Sequence, residues 1–486
     1  MTTKAHHGEF DVVVVGAGVA GLCCAGELVL QGARVLLLPE TKEVGVAVRP
    51  RMVDGNRGIM QGPTNMIGWG GGWWLPLARR LNADISIPDG FNSPGFDWAV
   101  EGLGEVWPVT QCAPTPASLA KLIAELFGRV DADLRDQFLE DGERVLKNAL
   151  AIPYPELARM DRVPTAQWVE DQKTNQAVVF LMNALSMGVL GSTLDFATEH
   201  TSMLGTFGIL RAMLCGEASF GFPYPDNREG MAVPLAKAIE GNGGTVWRGL
   251  KVAELSINNN RVDGVMLADG TKATAPIVAL ACGNARIAGL LDPMPPEAEP
   301  AITYSMKNLA HQDFHLFSVL AEPVLPLESR RWVGVLPFAG YMSWFAPLHS
   351  LVPWSVKDPG TQFVMGACAI PVSEIEDGKY GSDDEVYRHL ADLMESIWPG
   401  YEGAAGVTER FGHKSGHLWF EPLCVGPKLP RRIDSIAGLW FVGEGSAPVE
   451  GVWMEASASA GILGAREMAA SVKGKPADWA RVAEAV

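Results

Sequence analysis

Gly16, Gly18 and Gly21 stand at the spacing Gly-x-Gly-x-x-Gly, directly after the apolar run Val12-Val13-Val14-Val15. The chemistry of that spacing is phosphate binding. Gly16 permits a tight turn, Gly18 lets backbone approach a pyrophosphate, and Gly21 lets the following helix pack closely on the strand. Val19 and Ala20 open that helix, whose free N–H groups and positive dipole end face the phosphates. The helix-like segment Leu22 to Gln31 leads into a second apolar run, Val35 to Leu38, which ends near Glu40. A β-α-β unit with an acidic residue at its far end is the context that makes the motif a dinucleotide site. Glu40 is expected to bind the adenosine ribose.

Other residues bear on a pocket. The stretch Gly68-Trp69-Gly70-Gly71-Gly72-Trp73-Trp74 combines backbone freedom with flat apolar rings. The chain holds 15 Trp against 7 Tyr, which points to a broad apolar cavity beyond ordinary core packing. Trp73, Trp74, Tyr224, Tyr341, Trp344 and His349 are the pocket candidates. No residue stands out as a catalytic acid or base. His311 and His315 are four apart, as are His413 and His417, but neither pair has a third ligand in frame. A metal is not expected.

Composition narrows the class. The chain has 486 residues, which suits two or three structural units rather than one core. Hydrophobic residues are 48% and charged residues 20%, so the chain is globular. A net charge of −17 argues against nucleic-acid partners and a basic membrane-binding patch. The 7 cysteines follow no framework, which fits a reducing, cytoplasmic setting. Met1 to Glu9 is polar and does not read as a signal peptide. Ala177 to Leu194 is uncharged but rich in Gly and Ser, so it reads as a buried helix, with membrane association the lesser alternative.

The elements that must position these residues follow from periodicity. Helices are expected at Ser118–Phe127, Ala232–Ile239, Asp384–Ile397 and from Met454 onward, with 130–225 mostly helical. Strands are expected at 245–247, 252–257, 262–267, 277–281 and 439–442, and β-like runs through 300–370. Rossmann-like pieces therefore recur near the start, near 230–285 and at the end. The fold class is α/β, a discontinuous Rossmann-like nucleotide-binding domain with an α+β substrate domain. The expected division is 1–105, 229–292 and 407–486 for the first, with 106–228 (helical) and 293–406 (sheet-rich) for the second.

The chain resembles the two-domain FAD oxidoreductases of the amine oxidase and phytoene desaturase group. Three blocks carry the resemblance: the N-terminal unit; Gly243-Gly244-Thr245-Val246 through Val252 to Gly283; and Ile436 to Glu444 followed by Gly451-Val452-Trp453-Met454-Glu455-Ala456. Asp358-Pro359-Gly360 resembles a turn of the desaturase branch. The resemblance implies FAD, with backbone near Val252 at the adenine and Gly283, Gly443, Glu444, Gly451, Val452, Trp453 and Met454 also at the cofactor. Ala456, Ala460 and Gly464 give the last helix a small face for a ring, and its N-terminal dipole can stabilise negative charge on a reduced flavin.

Two positions depart from the group's pattern. Its ribose-binding Glu falls at Pro39, one residue before Glu40. Its Gly-Gly-Arg is replaced by Gly45-Val46-Ala47, leaving Arg49 or Arg51 as the cation near phosphate. Lys307 lies where some amine oxidases carry a lysine near the flavin. No second glycine-rich β-α-β unit is present, so NAD(P)H is not the expected reductant. The reading is desaturation or dehydrogenation of an apolar small molecule, with oxygen, a quinone or another acceptor taking the electrons. The alternatives are an amine oxidase, a flavin-dependent double-bond isomerase or saturase, and a flavin-free binding protein like the guanine-nucleotide dissociation inhibitors.

Overall fold

The computed structural model describes residues 9–45, 51–58, 66–67, 72–85, 96–101, 106–109, 115–190, 199–211, 219–220, 231–325, 332–336, 342–415, 424–443, 445–447 and 453–471. Strand β1 (Val12–Val15) is wholly buried, as an all-apolar run in a covered parallel sheet must be. Helix α1 (Val19–Leu30) follows it, and β2 (Val35–Leu38) lies parallel beside β1 with Val12 opposite Val35. On the other side of β1 run Ile277–Leu280 and then Leu439–Phe441. Thr245–Val246 closes the sheet next to β2. One five-stranded parallel sheet is thus assembled from three distant stretches of chain. An antiparallel meander, 252–258, 261–267 and 272–274, precedes its second stretch.

Helix α2 (Trp74–Arg80) ends in Arg79 and Arg80, cations suited to a helix C-terminus. Helices at Pro116–Val130, Ala132–Ala151, Gln176–Leu190 and Met203–Ile209 form the helical layer. Gln176–Leu190 covers most of the uncharged stretch, and 191–194 lie outside the described residues. No helix among the described residues is long and apolar enough to cross a membrane.

A second sheet has seven strands. It holds β3 (His311–Leu320), with β4 (Ser343–Pro347), β5 (Gln362–Pro371), helix α3 (Asp383–Ile397) and β6 (Ala405–Ser415) following in the chain. The order across it is β6, β3, β5, β4, 332–336, 96–100, 106–109. The pairing is antiparallel except between 332–336 and 96–100. The even residues Phe314, Leu316 and Leu320 of β3 pack under Val386, Leu390 and Met394 of α3, while Phe317 joins the large core on the opposite face. The chain's last described element is helix α4 (Trp453–Ser471).

Two boundaries read from the sequence move. Phe96–Val100 pairs with Trp332–Leu336, and β6 pairs with β3 along its length. Strands 96–100 and 405–415 therefore complete the second sheet, although the sequence division put 96–105 and 407–415 with the first. Both are short of a distinguishing pattern, and only the pairing partner assigns them.

Candidate functional site

The cradle after β1 follows from sterics. Gly16 has φ +104°, and a Cβ there would lie 2.4 Å from the Ala281 carbonyl oxygen. A Cβ on Gly21 would lie 1.9 Å from the Gly16 carbonyl oxygen. Gly18 differs: a Cβ on it would meet nothing within 4 Å. Two glycines are thus required by the protein's own packing, and the third borders open space in front of the α1 N-terminus. Gly18 is the N-cap of α1 and has no side-chain cap among the described residues, so that end presents N–H groups to the space in front of it. Val19 and Ala20 form the first turn, both buried.

Glu40 lies just past β2, where the strand has ended and its side chain is free to turn. Its carboxylate accepts from the Val252 backbone N–H at 3.0 Å. Arg286 Nε donates to it at 2.9 Å, and the Arg286 guanidinium also reaches the Val252 carbonyl. The pair is mostly buried, with side chains 19% and 25% exposed. The one-residue offset from Pro39 thus does not remove Glu40 from Val252; the structure brings the two together. Arg286 was not singled out in the sequence: it is the third residue of the short helix Asn284–Ala288, and no local pattern marks it as the partner of Glu40. Cys282, beside them, is pushed up to about 12 by burial and then by the Glu40 charge. Gly283 caps the short helix that carries Arg286.

Gly443 follows Leu439–Phe441, and a Cβ there would come no closer than 3.7 Å to the Cys282 carbonyl. Arg49, Glu444, Gly451 and Val452 lie outside the described residues. Trp453 and Met454 open α4, and Met454 is buried. Two small residues of α4, Gly461 and Gly464, are taken up by packing. A Cβ on Gly461 would strike the Ala20 carbonyl at 2.2 Å, and one on Gly464 would strike Val442 at 2.5 Å. At Gly461 and Gly464 the close approach is helix α4 on α1 and on the sheet.

Arg51, the other cation proposed for phosphate, sits elsewhere. It is exposed in the hairpin 51–58, with its guanidinium 5.8 Å from the Phe411 ring of β6. That places it over the second sheet.

The pocket candidates separate. Trp74 is fully buried in the large core. The Trp73 ring lies 5.9 Å from the Arg466 guanidinium, itself bonded to Glu27 at 3.0 Å. Core packing therefore accounts for both. His349 Nδ1 accepts from the Phe363 backbone N–H at 3.2 Å, a bond to the N-terminal end of β5. Trp344 is partly exposed and lies on the face of the second sheet that carries Phe317. Tyr224 and Tyr341 lie outside the described residues. Lys307 is exposed on the turn Ser305–Leu309. His311 and His315 share a strand rather than a helix, and His413 is also in a strand, not a loop. Among the described residues no group of three His, Cys, Asp or Glu could hold a metal.

Sequence reasoning missed Glu455. It lies in the first turn of α4, fully buried. Its Oε2 accepts from the Trp73 backbone N–H at 2.6 Å, and it also caps the Trp74 N–H. It thus serves α2 as an N-cap delivered from another helix, because Trp73 offers none. Burial pushes its carboxyl up to about 7 against those bonds. Its Oε1 has no hydrogen-bond partner among the described residues.

Residues 14–81 match the NAD(P)-binding Rossmann-like domain family. Over its length the chain superposes on solved oxidases. A cyclohexylamine oxidase of Brevibacterium oxydans aligns with 96% of this chain and all of its own, at 15% identity and a TM-score of 0.60. The chain has the two-sheet fold of the amine oxidase and phytoene desaturase group. An oxidoreductase of Methanosarcina mazei has the same fold, at 15% identity and a TM-score of 0.67, over 94% of this chain and all of its own. By sequence, the chloroplastic prolycopene isomerase of Daucus carota is 23% identical over 96% of this chain and 80% of its own length. In the amine oxidase fold of this chain, the cradle and the Glu40–Val252 contact lie along one edge of the parallel sheet, at the C-terminal ends of β1 and β2.

Proposed function

We propose that the protein is an FAD-dependent oxidoreductase that removes a hydride from an apolar small organic molecule. One observation carries the reading. The open space at Gly18 and the Glu40–Val252 contact stand at successive points of one β-α-β edge, as a pyrophosphate and an adenosine ribose require. The residues fit FAD in that sense. Gly18 leaves room that no atom of a described residue fills, the α1 N-terminus offers N–H donors, and Glu40 offers a carboxylate already oriented by Arg286. When bound, FAD supplies a two-electron acceptor. The chain's own part is to bind, orient and keep water out. Oxygen, a quinone or another acceptor would take the electrons onward.

The kinship with prolycopene isomerase supports a second reading, redox-neutral double-bond isomerisation on the same fold. An anaerobic screen separates the two. Purified protein is mixed with amines, alicyclic ketones and polyenes while the flavin absorbance is followed. Bleaching matched by loss of substrate hydrogen supports oxidation. Turnover with no net loss of substrate hydrogen supports isomerisation. A colourless protein that binds no FAD overturns both in favour of a binding protein.

A further inference from the structure

Helices α1, α2 and α4 run side by side in one direction. Gly461 of α4 meets Ala20 and Cys24 of α1, and further along both helices Arg466 Nε donates to Glu27 at 3.0 Å. Along α2, Leu77 and Leu81 meet Gly26, and Arg80 donates to Glu27 at 2.8 Å. The three N-termini therefore lie toward one end, where Gly18 borders open space. Each brings a positive dipole end there.

Glu455 lies among these ends. It stands six residues before Gly461, about 9 Å along α4, whereas Gly18 stands two residues before Ala20, about 3 Å along α1. Its carboxyl is thus on the Gly18 side of the contact between α1 and α4. It is fully buried, and Oε2 suffices for the Trp73 and Trp74 N–H groups. Oε1 has no partner among the described residues. A buried polar atom left over in this way is costly in a packed interior.

The surroundings do not offset a charge at Glu455. On α1, burial first and then the Glu455 charge push the Cys23 thiol up, and burial pushes Cys24 up, so both are neutral near pH 7. Glu27 is taken by Arg80 and Arg466. Arg79, at the far end of α2, is exposed. Val442 and the strand Met66–Ile67 also pack on α4 and bring no ionisable group. Burial pushes Glu455 up to about 7, so it is neutral below that pH and charged above it.

We propose that FAD binding in front of α1 is linked to a proton on Glu455: the protein takes the cofactor with this carboxyl neutral, and its ionisation weakens the complex. The pyrophosphate is negative throughout this pH range, and a second negative charge in the same poorly hydrated region repels it. Linkage is reciprocal, so the bound cofactor raises proton affinity at Glu455 and binding above neutral pH takes up a proton from solvent. The proposal rests on the reading of the cradle as an FAD site.

Two measurements test it. Apoprotein is titrated with FAD at pH 6 and 8.5, and calorimetry at pH 7.5 in buffers of different ionisation enthalpy reads proton uptake. FAD should bind about tenfold more weakly at pH 8.5, with uptake approaching one proton, as linkage through one site requires. Glu455→Gln stays neutral and can still accept the N–H bonds, so it should bind at pH 8.5 as tightly as at pH 6 and take up none. Melting temperature reports whether the variant folds; if it does not, proton uptake by the wild type decides. Equal wild-type affinity at the two pH values, absence of uptake, or a Glu455→Gln protein with the wild-type pH dependence overturns the proposal. Failure to bind FAD at either pH defeats the FAD reading instead.

Discussion

Glu455, in the first turn of the last helix, accepts a 2.6 Å hydrogen bond from the backbone N–H of Trp73, and the two residues are 382 apart in the chain. The contact ties α4 to the start of α2, and it buries a carboxyl that burial pushes up to about 7. An ordinary glutamate in the unfolded chain titrates near 4.5. The folded state therefore holds its proton more tightly. Stability from this group is fully present below pH ~4.5 and is lost as pH rises to ~7. The loss is on the order of 3 kcal/mol, from 1.36 kcal/mol per unit. Glu455→Gln should flatten that dependence. Urea unfolding of both proteins between pH 5 and 8 checks it, and parallel curves would remove Glu455 as the cause.

The glycines of the cradle should behave oppositely on substitution. Gly18→Val places its side chain in open space, so the protein should fold with a near-normal melting temperature and lose FAD. Gly21→Ala drives a methyl into the Gly16 carbonyl, so it should cost several kcal/mol or prevent folding. Flavin-to-protein absorbance ratio and melting temperature together distinguish them. Retention of full flavin by Gly18→Val would show the site to be elsewhere.

Glu40→Ala should weaken FAD by about 1.5–3 kcal/mol, the worth of a charge-assisted hydrogen bond. Arg286→Met should also weaken it, since Arg286 holds the carboxylate beside Val252. Titration of apoprotein with FAD measures both. Unchanged affinity in Glu40→Ala would mean that another group holds the ribose.

Trp74→Ala should destabilise the protein by about 3–5 kcal/mol, because the indole is fully buried in the core. Trp73→Ala should cost less, since its ring is partly exposed beneath Arg466. Denaturant midpoints give both values. A Trp74→Ala protein as stable as the wild type would contradict the packing.

NADPH should reduce the bound flavin slowly. The family match covers only residues 14–81, and the sequence offers no second glycine-rich unit. Anaerobic stopped flow with NADPH tests this, and rapid bleaching would point to a saturase.

The sequence by itself determined the nucleotide cradle. Gly16, Gly18 and Gly21 meet steric demands within a few residues of chain, and those demands hold wherever the unit occurs. The apolar runs of β1 and β2 and the amphipathic pattern of α3 are equally local. What the tertiary structure alone decided is which distant segments meet. Glu40 and Arg286 are 246 residues apart, and no local pattern marks Arg286 as the partner. The same holds for Phe96–Val100, whose sheet is fixed by pairing with 332–336. Trp73 and Trp74 read as pocket walls in sequence because indole suits a cavity and a core equally; only the neighbours settle which. His311 and His315 read in the sequence only as a pair four apart until β3 set them, with Asp313 between, on one face of a strand. Side-chain direction alternates along a strand, and register across strands is set by long-range packing, so that face exists only in the folded chain.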